Sequence, residues 1–232
     1  MADNLLLNYM VNRFKIEEDK LKEEVNIKKH SPFITISRQF GCPSGEIAKL
    51  LHKKLNEHHK KWSIINKEIL EQSAKELEIH PKKLNYIFNA EKRNSIDEIL
   101  MAMSTKKYKS DKAIRKIIKD IVISIALAGH KIIIGRGGVS ILNDFPNSLH
   151  IRLFAPLEWR LEQIEKKHTF QNRDKAISFI NEMDKQRINL IKQFYPKEFG
   201  FDIFDLQYNC SRISSEEITH QIYQLLLRRE LL

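Results

Sequence analysis

Four arginines stand where they can bring positive charge to bear on a phosphate. Arg38 follows the apolar run FITIS, Arg136 sits between glycines in IIIGRGGVSIL, Arg160 falls in RLFAPLEWRLEQI, and Arg187 in MDKQRINLIKQFYP. A guanidinium offers paired donors that match phosphate oxygens. Several of them arriving after successive strands make a multi-pronged clamp, which phosphoryl transfer requires to offset charge on the moving group. Plainer readings stand beside this one. Arg136 also fits a surface arginine after a strand, and Arg187, three residues after Asp184 on one helical face, also fits an intrahelical ion pair worth about 0.3–0.5 kcal/mol.

The stretch FITISRQFGCPSGEIAKLL, residues 33–51, begins as a buried strand, tightens around glycines and a proline, and leaves on a helical pattern. That is the layout of a phosphate-binding loop, in which backbone N–H groups and a helix N-terminus wrap the anion. In the pattern GxxxxGK[ST] the lysine neutralises the terminal phosphates and the hydroxyl holds Mg²⁺. With EIAKLL taken as the start of the helix, Pro43, Ser44 and Gly45 fall on the Gly-Lys-Ser/Thr positions, so the lysine is missing. Arg38 is the candidate for the lost charge and Ser44 for the hydroxyl and the metal. Taken alone, the stretch equally fits a simple strand-to-helix turn.

The elements that must position these residues alternate. Strand-like runs fall at 33–37, 62–65, 131–135, 149–154 and 205–209, with helical patterns between them; such alternation predicts a mainly parallel sheet covered by helices. About 65 largely helical residues separate the second run from the third, too many for a simple crossover, so a helical insertion is implied. Its last helix has Ser110 or Asp111 as cap, Ile114, Ile117, Ile118, Ile121 and Ile125 at helical spacing, and Gly129 to close it. Further helices are predicted over 156–167, 173–194 and from about Ser214 to Arg229, with an amphipathic one over about 4–25.

The whole chain sets bounds. Its 232 residues suit one α/β domain with an appendage. The net charge is +10, and residues 1–30 carry equal numbers of acidic and basic side chains, so the excess lies in the remainder and points to an anionic ligand. Lysines scattered among glutamates along helices read as solvated faces, which argues against nucleic acid as the partner. Cys42 and Cys210 are the two cysteines, without CxxC spacing, which argues against a disulfide scaffold. His52, His58 and His59 do not complete a zinc site. No leader pattern or membrane-spanning run is evident, so a cytoplasmic location is expected.

FITISRQFGCPSGEIAKLL, INKEILEQSA, IIIGRGGVSIL, FPNSLHIRLFAPLEWRLEQI, DKQR and LQYNCSRIS occur in the order seen in the cytidylate kinase-like proteins, and the sequence resembles that family over about residues 32–228. This is a bacterial branch of the P-loop nucleoside monophosphate kinases. The resemblance implies a five-stranded sheet with helices on both faces, a helical acceptor-binding insertion over about 67–110 and a lid-like region over about 156–190. It implies a transferase: ATP-dependent phosphoryl transfer with Mg²⁺, to CMP or dCMP.

In residue terms it places the donor phosphates on Gly41, Cys42, Pro43, Ser44, Gly45 and Glu46, with Gly45 where the branch carries arginine, and Arg38 joins them as the candidate charge at the strand end. The acceptor falls on Asn66, Lys67, Arg136, Gly137 and Asp184, with Asn66 and Gly137 each standing where the family has aspartate. Arg136, Arg160 and Arg187 become the catalytic arginines. The alternative is a nucleotide-binding sensor or partner-binding protein on the same fold, favoured by the missing lysine. The leading amphipathic helix offers a homodimer contact.

Overall fold

The computed structural model describes residues 32–59, 62–66, 111–166, 170–195 and 198–232. The expected N-terminal helix and the expected helical insertion over about 67–110, Lys67 included, lie outside these residues; the insertion's last helix lies within them.

Five strands form one sheet: β1 (Phe33–Arg38), β2 (Ser63–Ile65), β3 (Lys131–Ile134), β4 (Ser148–Phe154) and β5 (Leu206–Asn209). Their spatial order is β2-β3-β1-β4-β5, and every pairing is parallel. The expected five-stranded sheet is thus present, and it is parallel throughout rather than mainly so. With β1 central, the chain passes from β3 over β1 to β4, and the crevice beyond the carboxyl ends of β3, β1 and β4 is where such a sheet admits a ligand.

Among the described residues the helices are α1 (Ser44–His58), α2 (Asp111–Leu127), the short α3 (Gly138–Leu142), α4 (Leu157–Glu165), α5 (Arg173–Phe194) and α6 (Ser215–Arg228). One sheet face, carrying Ile34, Ile36, Leu149 and Ile151, packs on Ile47 and Leu51 of α1 and Ile218 and Ile222 of α6. The opposite face, with Phe33 and Ile133, packs on Ile118, Ile121 and Ile125 of α2, Leu142 of α3 and Leu190 of α5. Burial on both faces explains why the strands read as continuous apolar runs. The helix starts are chemically marked: Asn172 caps α5 by accepting the Lys175 N–H, and Ser214 and Glu217 form a reciprocal capping box on α6. No helix among the described residues is long and apolar enough to cross a membrane.

Local differences from the sequence reading have local causes. Strand β2 begins at Ser63 because the Trp62 N–H is taken by Asn56 Oδ1 at 2.6 Å, and the Asn56 amide returns to the Trp62 carbonyl at 3.2 Å. Helix α1 begins at Ser44 rather than Glu46; the Ile47 N–H already closes on the Pro43 carbonyl at 3.0 Å. Helix α3 and a 3₁₀ turn at Phe201–Ile203 are elements that periodicity did not reveal, being shorter than a hydrophobic repeat.

One polar chain crosses the buried sheet. The Ser148 hydroxyl donates to the Phe145 carbonyl at 2.5 Å, so its oxygen accepts from His150 Nε2 at 3.0 Å. The other ring nitrogen, Nδ1, then accepts from the Thr35 hydroxyl at 2.7 Å. This sequence of donors fixes the neutral Nε2–H tautomer. Burial pushes His150 below its usual 6.5, opposed by the nearby Asp205 carboxylate and a hydrogen bond to the Leu142 carbonyl. A depressed histidine pKa means that the unfolded chain takes up a proton the folded one refuses, so stability is lost as pH falls below 6.5. We expect the drop in Tm between about pH 7.5 and about pH 5.5 to be smaller in His150→Gln than in the parent protein, measured by thermal denaturation; equal drops would show that the ring charges freely in the folded state.

Candidate functional site

The turn between β1 and α1 is tied to its neighbours through backbone groups. Gln39 continues the ladder by donating its N–H to the Leu153 carbonyl at 2.9 Å, and its side-chain oxygen receives the Ala155 N–H at 3.1 Å. The Phe40 N–H meets Asp184 Oδ1 at 2.6 Å. Cys42 N–H returns to the Gln39 carbonyl at 3.3 Å and Ser44 N–H to the Cys42 carbonyl at 2.9 Å. Gly41 has φ 95°, and a Cβ there would come within 3.1 Å of the Arg160 carbonyl and of the Ile164 side chain. Glycine is therefore required both by the left-handed backbone and by the close approach of α4.

Arg160 and Asp184 hold this arrangement from beneath. Arg160 is 5% exposed. It donates through Nε to the Ala155 carbonyl at 3.0 Å, and through one terminal nitrogen to the Phe40 carbonyl at 3.2 Å and to Asp184 Oδ2 at 2.6 Å. The Asp184 carboxylate thereby receives a loop N–H on one oxygen and a guanidinium on the other. Arg187 stands at 4.0 Å on the first of these oxygens.

Above this layer opens a cleft that is continuous with solvent. Arg38, Arg136, Arg152 and Arg187 line it, and among the described residues lining it Asp184 is the one carboxylate. Arg187 donates to the Arg38 carbonyl at 3.4 Å and lies 5.1 Å from the centre of the Phe40 ring. Burial, then the neighbouring Arg187 and Arg136 charges, push Arg38 down to about 9. Burial also lowers Arg187, with Asp184 opposing it. Arginine side chains stay protonated in proteins, so these directions record the cost of crowding guanidinium groups together. An anion in the cleft would relieve it.

The turn after β3 is built for close approach. Gly135, Arg136 and Gly137 have φ values of 68°, 58° and 67°. A left-handed non-glycine residue costs about 1–2 kcal/mol, so Arg136 is held against a local preference. A Cβ at Gly135 would collide with the Arg38 guanidinium, and one at Gly137 would come 2.9 Å from the Phe194 ring.

Of the residues singled out in the sequence, Arg38, Arg136, Gly137, Asp184 and Arg187 meet at this cleft. Arg160 lies behind it, engaged by the loop. Gly41, Cys42, Pro43, Ser44, Gly45 and Glu46 form the adjoining turn and first turn of α1 without lining the cleft. Asn66 follows β2 at the sheet edge. Sequence reasoning missed Arg152, Phe199, Phe201 and Phe204, which also line the cleft. The signal for Arg152 was a charge inside the apolar strand LHIRLF; the phenylalanines sit in an irregular segment that carries no periodicity. The fold also joins the two cysteines: the Cys42 thiol hydrogen-bonds Cys210, which with burial pushes Cys42 up, while the same bond draws Cys210 down.

A metal fits these residues poorly. Ser44, the candidate hydroxyl, is 8% exposed and outside the cleft lining. No group of three or more His, Cys, Asp or Glu side chains suited to a metal occurs among the described residues. Phosphate oxygens, by contrast, fit the arginines.

Comparison with known proteins adds to this. The sequence profile described as the cytidylate kinase-like family matches residues 33–211. No curated protein matches. Among solved structures, an uncharacterized protein from Eubacterium ventriosum superposes with a TM-score of 0.52 at 21% identity, covering 84% of this chain and 98% of that one; the likeness is one of fold. Shikimate kinase from Bacteroides thetaiotaomicron gives 0.46 at 13% identity over 85% of this chain and 98% of that one. The YorR protein from Bacillus subtilis, solved with phosphorylated GDP, gives 0.41 at 12% identity over 85% and 97%.

The buried pair predicts a stability effect. Asp184→Ala strands a buried guanidinium and an N–H together, so urea denaturation should show a loss of about 3–5 kcal/mol. A loss below about 1 kcal/mol would show that water or a neighbour replaces the carboxylate.

Proposed function

The chain belongs to the cytidylate kinase-like family, and from that premise we propose that it is a cytoplasmic enzyme transferring the terminal phosphoryl group of ATP to a nucleoside monophosphate, CMP or dCMP being the acceptor. The observation that carries this reading is the cluster of Arg38, Arg136 and Arg187 around one cleft at the strand ends, where the one lining carboxylate among the described residues is already engaged by Arg160.

In the proposed arrangement the donor phosphates lie along the turn from Gly41 to Glu46, facing the N-terminus of α1, whose partial positive charge favours an anion. Arg136, presented on its left-handed turn, meets the acceptor phosphate beside Gly137. Arg187 and Arg38 neutralise charge on the group in transit, and Arg160 acts as a positioning residue that keeps the turn and Asp184 in place. An acceptor phosphate is already an anion, so no general base is needed; alignment and charge neutralisation are the main demands. Mg²⁺ would arrive with ATP, as part of the donor substrate, and no side chain among the described residues is assigned to hold it. Residues of the expected insertion, Lys67 among them, would complete the acceptor side, and the leading helix would serve a subunit contact.

A second reading is favoured by the turn itself. Its Phe40, Cys42 and Ser44 N–H groups are consumed internally, and it has no lysine, which suits a protein that binds nucleotide without turning it over.

The two readings separate in one assay: purified protein with Mg·ATP and CMP, dCMP, UMP or AMP, following ADP. Acceptor-dependent ADP is expected with a cytidine nucleotide; nucleotide binding by calorimetry without any ADP would decide for the sensor. With turnover in hand, Arg136→Ala and Arg187→Ala should each lower it at least about tenfold, or about 1.4 kcal/mol. A smaller effect of both would displace the proposed site.

A further inference from the structure

The cleft has two chemically distinct walls. One carries Arg38, Arg136 and Arg187. The other comes from the connection between α5 and β5, where Phe199, Phe201 and Phe204 line the same space. Phe204 is buried with Val139, Ile191 and Ile203, and Phe199 packs against that cluster, so this wall has a fixed base. Phe201, at the start of the 3₁₀ turn, is different: it is 46% exposed.

A single exposed phenylalanine is ordinary on a protein surface. This one is organised. Its ring centre is 5.5 Å from that of Phe199 in an edge-to-face contact. The Arg152 guanidinium lies 4.0 Å from the Phe201 ring centre. That guanidinium is fixed in turn, donating to the Gln207 side-chain oxygen at 3.0 Å while the Gln207 amide donates to the Phe201 carbonyl at 3.4 Å. The result is a preformed platform of ring, guanidinium and ring, which gives planar aromatic groups a surface to stack on at little further ordering cost.

A phosphate or a sugar phosphate would use the arginine wall and leave the aromatic one wet. A ligand that satisfies both must join an anion to a planar, weakly polar ring. We propose that the Phe199–Phe201–Arg152 platform is the subsite for the base of a nucleotide, stacked on Phe201 while its phosphates meet Arg38, Arg136 and Arg187. The proposal rests on the reading of this cleft as a nucleotide-phosphate site and adds the residues that recognise the base.

Calorimetric titrations with two matched pairs test it: CMP against ribose 5-phosphate, and ATP against inorganic triphosphate. Each pair shares its phosphates and differs in the base. In the parent protein the nucleotide of at least one pair should bind more tightly than its baseless partner. Phe201→Ala should weaken that nucleotide at least about tenfold, the scale of a lost base–aromatic stack, and leave the baseless partner within about twofold. Phe201→Trp should retain the preference, which separates stacking from a structural role of the turn. If both pairs bind without any preference for the base, or if Phe201→Ala weakens both members equally, the base subsite is overturned and the phosphate site stands. If none of the four ligands binds the parent protein, the phosphate reading itself fails.

Discussion

Asp184 is the internal anion on which the arrangement depends. One of its oxygens takes the Phe40 N–H and the other takes Arg160, so a single carboxylate ties helix α5 to the turn after β1 and to the start of α4. A buried ion pair is seldom a net source of stability, because two charges must be stripped of water. Its value here is geometric. With both partners hydrogen-bonded to backbone groups as well, the pair permits essentially one relative placement of three elements that come from distant parts of the chain.

That placement determines the electrostatics above it. Asp184 is bonded to Arg160 and also faces Arg187, so among the described residues one shared carboxylate lines a cleft with Arg38, Arg136, Arg152 and Arg187, which leaves a surplus of guanidinium groups. Burial and mutual repulsion make the surplus unfavourable, as the depression of Arg38 to about 9 records. The left-handed backbone at Arg136 adds a local cost of its own. A fold tolerates such features when its core is secure, and here α1 and α6 on one face and α2, α3 and α5 on the other enclose the sheet almost completely. An anion entering the cleft is favoured by relief of strain already present as well as by the contacts it makes.

The missing lysine looks different in this light. In the sequence the turn from Gly41 to Glu46 reads as a phosphate loop that has lost its charge. In the structure positive charge approaches the same region from β1, β3, β4 and α5, none of it from the loop. The loop contributes shape: Gly41 lets it pass under α4, and its N–H groups are partly spent in holding that shape. Arg160, which the motif pattern suggested as a group touching substrate, is withdrawn from the cleft because three acceptors of its own chain already surround it.

Strands, long helices and their order were legible in the sequence because each carries a repeat set by backbone geometry: continuous apolar runs for strands buried on both faces, and three- and four-residue spacing for Ile118, Ile121 and Ile125. Arg38 and Arg136 were legible because they follow apolar strand runs, where a parallel sheet admits ligands, and Arg187 because it stands in the DKQR segment that carries the family resemblance. Tertiary structure alone decided which of them share a cleft, that Asp184 is committed to Arg160, that Cys42 meets Cys210, and that Phe201 lines the same cleft against Arg152. These outcomes depend on connections that bring together residues far apart in the chain, more than a hundred positions in the case of Phe40 and Asp184. Local patterning carries no record of such distances. It specifies which face of an element is buried, and the packing of the faces then decides what meets at the strand ends.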